Sequence, residues 1–476
     1  MTLAHLFLFV FVLLVALNKW SPAPAALFAN DNCLVDLPPI VITGMYRAHR
    51  EKVRTRLGFR DGAVIFLVGN KQEYRTYADT SILFRQDSSF LYLSGFNTPD
   101  ASLAIDVASG YSILFIKRKS RSELIFDGGY DDFEAIKAEN EVDEVAFVDE
   151  ADEVLTERLS PITTIYTFDR DTLLDEVPEL DRYTIDAGSL LSHIRIARQI
   201  KTDQEIAISR ISTLVTSKAH EAIMLNTKIG MLESDIESIF LYENNNCGLR
   251  FQSYIPIIAT GVNSYILHYV KNDAQVKDGD LVLVDAAGEY LGYTSDVTRT
   301  YPANGRYTDD QRLVYNIVLE TQLAAIALCR PGVTWSTINS AANTQLLKGL
   351  LAGGFVMGTE AELYSANVLA TFYPHGLGHP VGLDVHDPTP VPYTLVRNNI
   401  FTIEPGVYFN PMLLDEAKAG ANSKYYNWSL LDRFYNFGGV RIEDIILITD
   451  SGHEVLSQTP KTIEDVESFM SRNLWF

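Results

Sequence analysis

Five short segments in the second half of the chain carry oxygen and nitrogen ligands at spacings that metal chemistry can use. The apolar run Leu281-Val282-Leu283-Val284 ends on Asp285, and Asp296 follows eleven residues later in Ser295-Asp296-Val297-Thr298-Arg299-Thr300. Gly288 and Gly292 lie between them, so the two runs read as adjacent antiparallel strands, and a pairing centred near Tyr290 sets the two carboxylates side by side. Two like charges so placed are costly unless something positive sits between them; alone, they also fit a solvated hairpin with acidic flanks. The third segment, His375-Gly376-Leu377-Gly378-His379 through His386, packs three of the nine histidines into twelve residues. Its glycines and Pro380 forbid a regular helix, which excludes the helical HExxH zinc arrangement, whose Glu would stand at Gly376. The last two segments, Thr402-Ile403-Glu404-Pro405-Gly406 and Val440-Arg441-Ile442-Glu443-Asp444, each set a Glu within an apolar strand-like run. A buried strand carboxylate must be paired or ligating. For Glu443 the bland alternative is an ion pair with Arg441, two residues away on the same strand face.

Taken together, Asp285, Asp296, Glu404, Glu443 and one imidazole make a stoichiometric argument. One divalent cation leaves four carboxylates two charges short of neutrality, and two cations neutralise them, although Arg441 could offset part of the deficit in a one-metal site. Oxygen-rich ligation with a single histidine and no thiolate favours Mn²⁺, Mg²⁺ or Co²⁺ over a thiolate zinc site. Two such ions can activate a water and stabilise the oxyanion formed on hydrolysis.

The rest of the chain must position these groups. At 476 residues, with 47% hydrophobic composition, it can bury a large core and is expected to hold two domains. A net charge of −22 speaks against a nucleic-acid partner, because phosphate contacts need clustered Lys and Arg. Cys33, Cys247 and Cys329 are far apart with no CxxC pair, so neither a disulfide scaffold nor a Cys-rich zinc site is expected. From Tyr46 to Ala187, strand-like runs such as 63–68 and 111–116 alternate with acidic helical stretches such as Asp131 to Asn140, predicting an α/β domain. A boundary is expected near Ala187-Gly188-Ser189, and the catalytic part spans 195–470. Thr202-Asp203-Gln204-Glu205 reads as a capping box opening a helix through about Leu225. At the N-terminus (1–29), the apolar run Leu6 to Leu17, followed by Lys19 and Ala23-Pro24-Ala25, resembles a signal peptide, with a retained anchor as the alternative. A secretory or membrane-anchored protein follows if that segment is used, and a cytoplasmic one otherwise.

The ordered set of two Asp eleven apart, His in HGLGH, Glu in IEPG and Glu in RIED resembles the pita-bread metallopeptidases, and within them prolidase and aminopeptidase P. Phe84 to Phe96 resembles the aminopeptidase P-type N-terminal domain, and Phe437 to Glu443 resembles eukaryotic prolidase. The resemblance implies an N-terminal α/β domain followed by an α+β pita-bread catalytic domain. It also implies two divalent ions, manganese expected, on Asp285, Asp296, His379, Glu404 and Glu443, and hydrolysis of Xaa-Pro peptides. Glu404 would double as general acid/base. His268 and His386 match histidines that contact substrate and the tetrahedral intermediate, His375 the first histidine of the metal loop, Tyr254 a tyrosine on the metal shell, and Arg441 an arginine behind it. A homodimer is also suggested. Prolidases usually carry a longer segment after the last histidine, with an arginine that binds the dipeptide carboxylate. Here that segment is Asp387 to Ile403, and Arg397, its sole arginine, falls where the family has a proline. Cleavage of longer Xaa-Pro-Yaa peptides is therefore expected over strict dipeptidase action. A non-catalytic pita-bread binding module is disfavoured because all five ligands are kept.

Overall fold

Strands β1 (Ala63–Val68), β2 (Ala101–Asp106) and β3 (Ser112–Ile116) are nearly continuous apolar runs, as expected of a sheet covered on both faces. With β4 (Glu144–Phe147), β5 (Thr164–Tyr166) and β6 (Thr184–Asp186) they form one mixed sheet in the order β4-β3-β2-β1-β5-β6. Alternation along β1 sends Ile65 and Leu67 into one core and Val64 and Phe66 into another on the opposite face. The computed structural model describes residues 33, 37–159, 161–387 and 393–473, and the N-terminal apolar run lies outside them. Among the described residues no helix is long and apolar enough to cross a membrane.

The helix Asp203–Asn226 opens on the expected capping box, with Thr202 accepting from the Glu205 amide and Glu205 reaching back to Thr202. Glu205 does a second job: it accepts from the Tyr293 hydroxyl at 3.1 Å and faces His49 of the helix Met45–Leu57 at 3.2 Å. Behind this helix, Glu233–Asn246, Asp309–Ile326 and Trp335–Ala352 share a core with the strands that carry the acidic residues.

Those strands are short. β7 (Phe251–Gln252), β8 (Ile257–Thr260), β9 (Leu281–Asp285), β10 (Gly288–Tyr290), β11 (Tyr293–Thr294) and β12 (Thr298–Pro302) make two three-stranded sheets, β12-β9-β8 and β11-β10-β7. β13 (Ile400–Ile403), β16 (Asp444–Ile448) and β17 (His453–Val455) form a third, while β14 (Gly406–Tyr408) pairs with β15 (Gly439–Arg441). The hairpin register differs from the expected one. Its two-residue turn is Leu291-Gly292, both at positive φ, as a right-twisted hairpin requires. Asp285 therefore stands opposite Thr298, not Asp296. The two-residue shift preserves the face, so Asp296 becomes the diagonal neighbour of Asp285 on the same side of the ladder.

No disulfide scaffold is seen among the described residues, but a single bond that the spacing does not announce is present: Cys33 bonds Cys247, 214 residues away in sequence, with Cα atoms 4.7 Å apart. Sequence spacing carries no information about that approach, since folding alone brings the N-terminal segment to the end of the helix Glu233–Asn246. Cys329 is free and buried.

A buried arginine knits the strands together. Arg299 on β12 donates to Asp444 at 2.7 Å and to the carbonyls of Thr298, Glu443, Thr459 and Pro460, with Lys461 as the second partner of Asp444. Both Arg299 and Asp444 are at most 1% exposed. Arg299→Ala strips a buried carboxylate of its fork, so it is expected to cost about 3–5 kcal/mol of unfolding free energy in a denaturant titration. A loss below about 1 kcal/mol would mean that Lys461 suffices.

Candidate metal centre

Each of the four carboxylates sits where a strand ends or breaks. Asp285 closes β9, and Asp296 lies in the gap between β11 and β12. Glu404 occupies the break between β13 and β14, and Glu443 the break between β15 and β16; neither is in mid-strand as the sequence suggests. A kink frees the side chain from strict alternation and lets it turn toward the common centre. His379 is held by its amide, which donates to Thr402 Oγ1 at 3.0 Å, and by its carbonyl, which accepts from the Thr402 amide at 2.8 Å. Gly378 makes that clasp possible, because a Cβ there would lie 2.1 Å from the Thr402 carbonyl oxygen.

The five residues converge. His379 Nε2 is 3.4 Å from both Asp296 Oδ2 and Glu404 Oε1, and its Nδ1 faces the Pro380 carbonyl at 3.2 Å, the arrangement that fixes Nε2 as a ligand atom. Ligand atoms of Asp296, His379 and Glu443 lie within 4.8 Å of one another. One observation tests whether these residues suit a cation. Glu443 is buried, its Oε2 accepts from Thr298 Oγ1 at 2.6 Å, and among the described residues its Oε1 has no partner. An unpartnered buried carboxylate oxygen beside three other carboxylates fits a hard divalent ion. Tyr254 donates toward Asp285 and Asp296, sharing its one proton between them.

Arg441 does not pair with Glu443. It donates to Asp285 at 2.6 Å and to the Tyr408 hydroxyl at 2.9 Å, because the break after β15 turns Glu443 away from it. His375 Nδ1 donates to the Gly376 carbonyl at 2.8 Å, so its Nε2 accepts from Tyr408 at 2.9 Å. A chain therefore runs from Asp285 through Arg441 and Tyr408 to His375. Tyr408 and Thr298 went unremarked in the sequence, and the only signal for Tyr408 was its place two residues past Gly406. Two glycines house its ring: a Cβ at Gly406 or Gly439 would lie 2.4 Å from Tyr408 side-chain atoms.

The four carboxylates, His379, His375, Tyr254 and Arg441 line a cavity of about 620 Å³ together with His268, His386, Ile255, Ile257, Leu267 and Val270. His386 meets His379 edge to face at 4.3 Å. Arg441 is the one lysine or arginine on the lining among the described residues. Arg397 points elsewhere, with 56% of its side chain exposed and Asp450 3.0 Å away.

Crowding shows in the acid–base properties. Burial raises the Glu404 carboxyl to about 7, with the His379 charge partly opposing and Asp296 reinforcing the shift. Burial and the neighbouring carboxylates also raise Glu443 well above its ordinary range; burial raises Asp285, opposed by Arg441. Burial alone would lower His379, but its hydrogen bond to Asp296 and the charges of Asp296 and Glu404 lift it to about 9. Burial and the Arg441 charge drop His375 to about 3, which keeps it neutral.

The sign of the resulting pH dependence follows from these shifts. The Glu404 proton stabilises the ion-free fold below the ordinary value of 4.5, and that stability is lost as pH rises through about 7. The His379 contribution is present below 6.5 and lost as pH rises through about 9. Below 6.5 the lowered His375 and His220 act in the opposite sense, so ion-free protein should melt at progressively lower temperature from about pH 6.5 to about pH 9. Divalent cations should flatten that decline and release protons on binding. Melting curves with and without chelator check this, and a melting temperature that climbs across the window without metal would refute it.

Comparison with known proteins agrees with this geometry. Residues 207–450 match the model of metallopeptidase family M24, and residues 46–166 match the N-terminal domain of aminopeptidase P. The chain is 35% identical to the human Xaa-Pro dipeptidase over 449 residues, covering 88% of this chain and 91% of the relative. It is 34% identical to a probable Xaa-Pro aminopeptidase of Talaromyces marneffei over 458 residues, with 90% and 97% covered. Among solved structures, proline aminopeptidase P II of Yersinia pestis superposes with a TM-score of 0.79 at 29% identity, covering 90% of this chain and 99% of its own. Zinc-substituted aminopeptidase P of E. coli in complex with product gives 0.78 at 30% identity, with 90% and 98% covered. An N-terminal aminopeptidase P domain, a divalent-metal cavity and these relatives together place the chain in metallopeptidase family M24.

Proposed function

We propose that the chain is an Xaa-Pro peptidase that releases the N-terminal residue and prefers peptides continuing beyond the proline. The observation that carries the preference is the cavity lining: its one guanidinium, Arg441, is already spent on Asp285 and Tyr408. A dipeptide buries its carboxylate directly after the proline, and without a free cation that desolvation is uncompensated. Residues 388–392, Pro-Thr-Pro-Val-Pro, supply no cation either.

Two divalent ions, proposed to be manganese, would be held by Asp285, Asp296, His379, Glu404 and Glu443. When bound, they supply Lewis acidity for the scissile carbonyl and for the attacking water. The protein's own groups do the rest. Glu404 takes the proton of the water and passes it to the proline nitrogen as the amide breaks. His268 and His386 donate to the developing oxyanion, and Tyr254 keeps Asp285 and Asp296 in register. Neutral His375, fixed by Gly376 and Tyr408, holds the wall beside Glu404, 3.9 Å away.

A homodimer belongs to the same proposal, on family resemblance alone. Maturation in an oxidising compartment does too: it is supported by the Cys33–Cys247 bond and by the signal-like run before it. N-terminal sequencing of secreted protein would test the latter.

The deciding comparison is kcat/KM for Ala-Pro, Ala-Pro-amide and Ala-Pro-Ala under one metal condition. The tripeptide is expected to lead and amidation of the dipeptide to help. Strong preference for the free dipeptide, lost on amidation, would overturn the length preference and establish a dipeptidase.

Glu404→Gln is expected to reduce kcat by about a hundredfold or more while substrate still binds, since an amide cannot accept the proton. An equally active variant would remove Glu404 from proton transfer.

A further inference from the structure

His386 faces the cavity, yet among the described residues its ring accepts and donates no hydrogen bond. Its position is set by the arch of backbone that carries it, residues 382–387, and both feet of that arch are tied down. At one foot, Gly382 accepts from the Thr294 amide at 2.8 Å and from its hydroxyl at 2.9 Å. Leu383 accepts from Arg85 at 2.6 Å. Asp384 accepts from Ser88 Oγ and from Arg198, each at 2.6 Å. At the other foot, the Asp387 amide donates to the Pro380 carbonyl at 2.9 Å. The Asp387 carboxylate accepts from Arg198 through one oxygen and from Lys201 Nζ at 2.7 Å through the other.

This knot is dry. Asp387 and Lys201 side chains are 1% exposed and that of Arg198 is 3% exposed. A Cβ at Gly382 would lie 2.7 Å from Asp387 Oδ2 and 2.9 Å from Lys201 Nζ, so the arch closes against the ion pairs with no room to spare. Lys201 is fixed in turn, donating to the Arg198 carbonyl at 2.7 Å, while its own carbonyl accepts from Asn398 at 2.9 Å. Arg85 and Ser88 belong to the N-terminal domain, and Arg85 is braced from behind by Glu289 at 2.8 Å. The apex, Val385 and His386, is what the knot leaves facing the cavity.

We propose that Arg198, Lys201, Asp384 and Asp387 are positioning residues that set His386, with Arg85 and Ser88 extending the clamp from the N-terminal domain. The inference rests on the reading of His386 as an oxyanion donor. It adds a reason for the N-terminal domain to matter to turnover although none of its residues lines the cavity. Arg198 serves as the keystone because one guanidinium nitrogen reaches both carboxylates, so a point charge without that planar reach loosens one foot or the other. A misplacement of about 1 Å at a donor aimed at the transition state can cost up to about a hundredfold in rate, while ground-state binding changes little.

The test is a double-mutant cycle on an Xaa-Pro-Yaa substrate, with Arg198→Lys and Ser88→Ala each made in the parent and in His386→Ala. In the parent, Arg198→Lys is expected to lower kcat about tenfold and Ser88→Ala about threefold, with KM within about twofold. In the His386→Ala background neither should lower kcat further, because the group they position is gone. Equal losses in both backgrounds, or no loss in the parent, would overturn the proposal. If Arg198→Lys does not fold, Ser88→Ala alone decides. Crystal structures give a readout independent of turnover: in Arg198→Lys the His386 ring should shift while His379 and the four carboxylates stay in place. An unmoved ring would overturn the inference even for an active enzyme. Absence of Xaa-Pro hydrolysis in the parent, with the ring shifting as expected, would remove the proposed function and leave the positioning role standing.

Discussion

Four carboxylates gathered in a water-poor space are the constraint on which this structure turns. Left to themselves they repel and desolvate one another, and the fold must oppose that before any chemistry begins. Protons meet part of the demand at Glu404 and Glu443, Arg441 meets part at Asp285, and an imidazolium at His379 meets more. The ion-free site is thus proton-loaded, and divalent ions held by the same carboxylates would take the place of those protons.

The framework holding this cluster is itself built from paired buried polar groups. Arg299 with Asp444, Arg198 and Lys201 with Asp387, and Glu205 with His49 each lie at a seam between segments distant in sequence. Such pairs contribute little net stability over a well-packed apolar core, but they tolerate only one alignment of the pieces they join. That suits a site whose groups come from one strand end, three strand breaks and a glycine-rich loop, where small slips would scatter the facing atoms.

The carboxylates and the histidine that converge were legible in the sequence because such residues interrupt apolar runs at positions that need a partner. Strand-length apolar runs and the Thr202–Glu205 capping box gave the local elements for the same reason: each is decided by neighbours in the chain. What escaped depends on distance in space. The hairpin register hinged on whether the turn fell at Tyr290 or at Leu291-Gly292, a difference of conformation rather than composition. Tyr408, Thr298 and Asp387 look like ordinary strand and loop residues until their partners, up to 189 residues away, are brought beside them. The Cys33–Cys247 bond was unreadable on the same ground.

The glycine-walled berth of Tyr408 has a consequence for how this protein can vary. Gly406, Tyr408 and Gly439 fill one volume between β14 and β15, so no one of the three can drift on its own: a larger residue at either glycine collides with the ring. A smaller residue at 408 empties the berth and breaks the link between Arg441 and His375. Accessible alternatives are joint ones, in which a methyl is gained at 406 or 439 in the same step as bulk is given up at 408. Libraries that randomise either glycine singly meet the Tyr408 ring each time, whereas libraries that randomise all three together can exchange bulk between the positions.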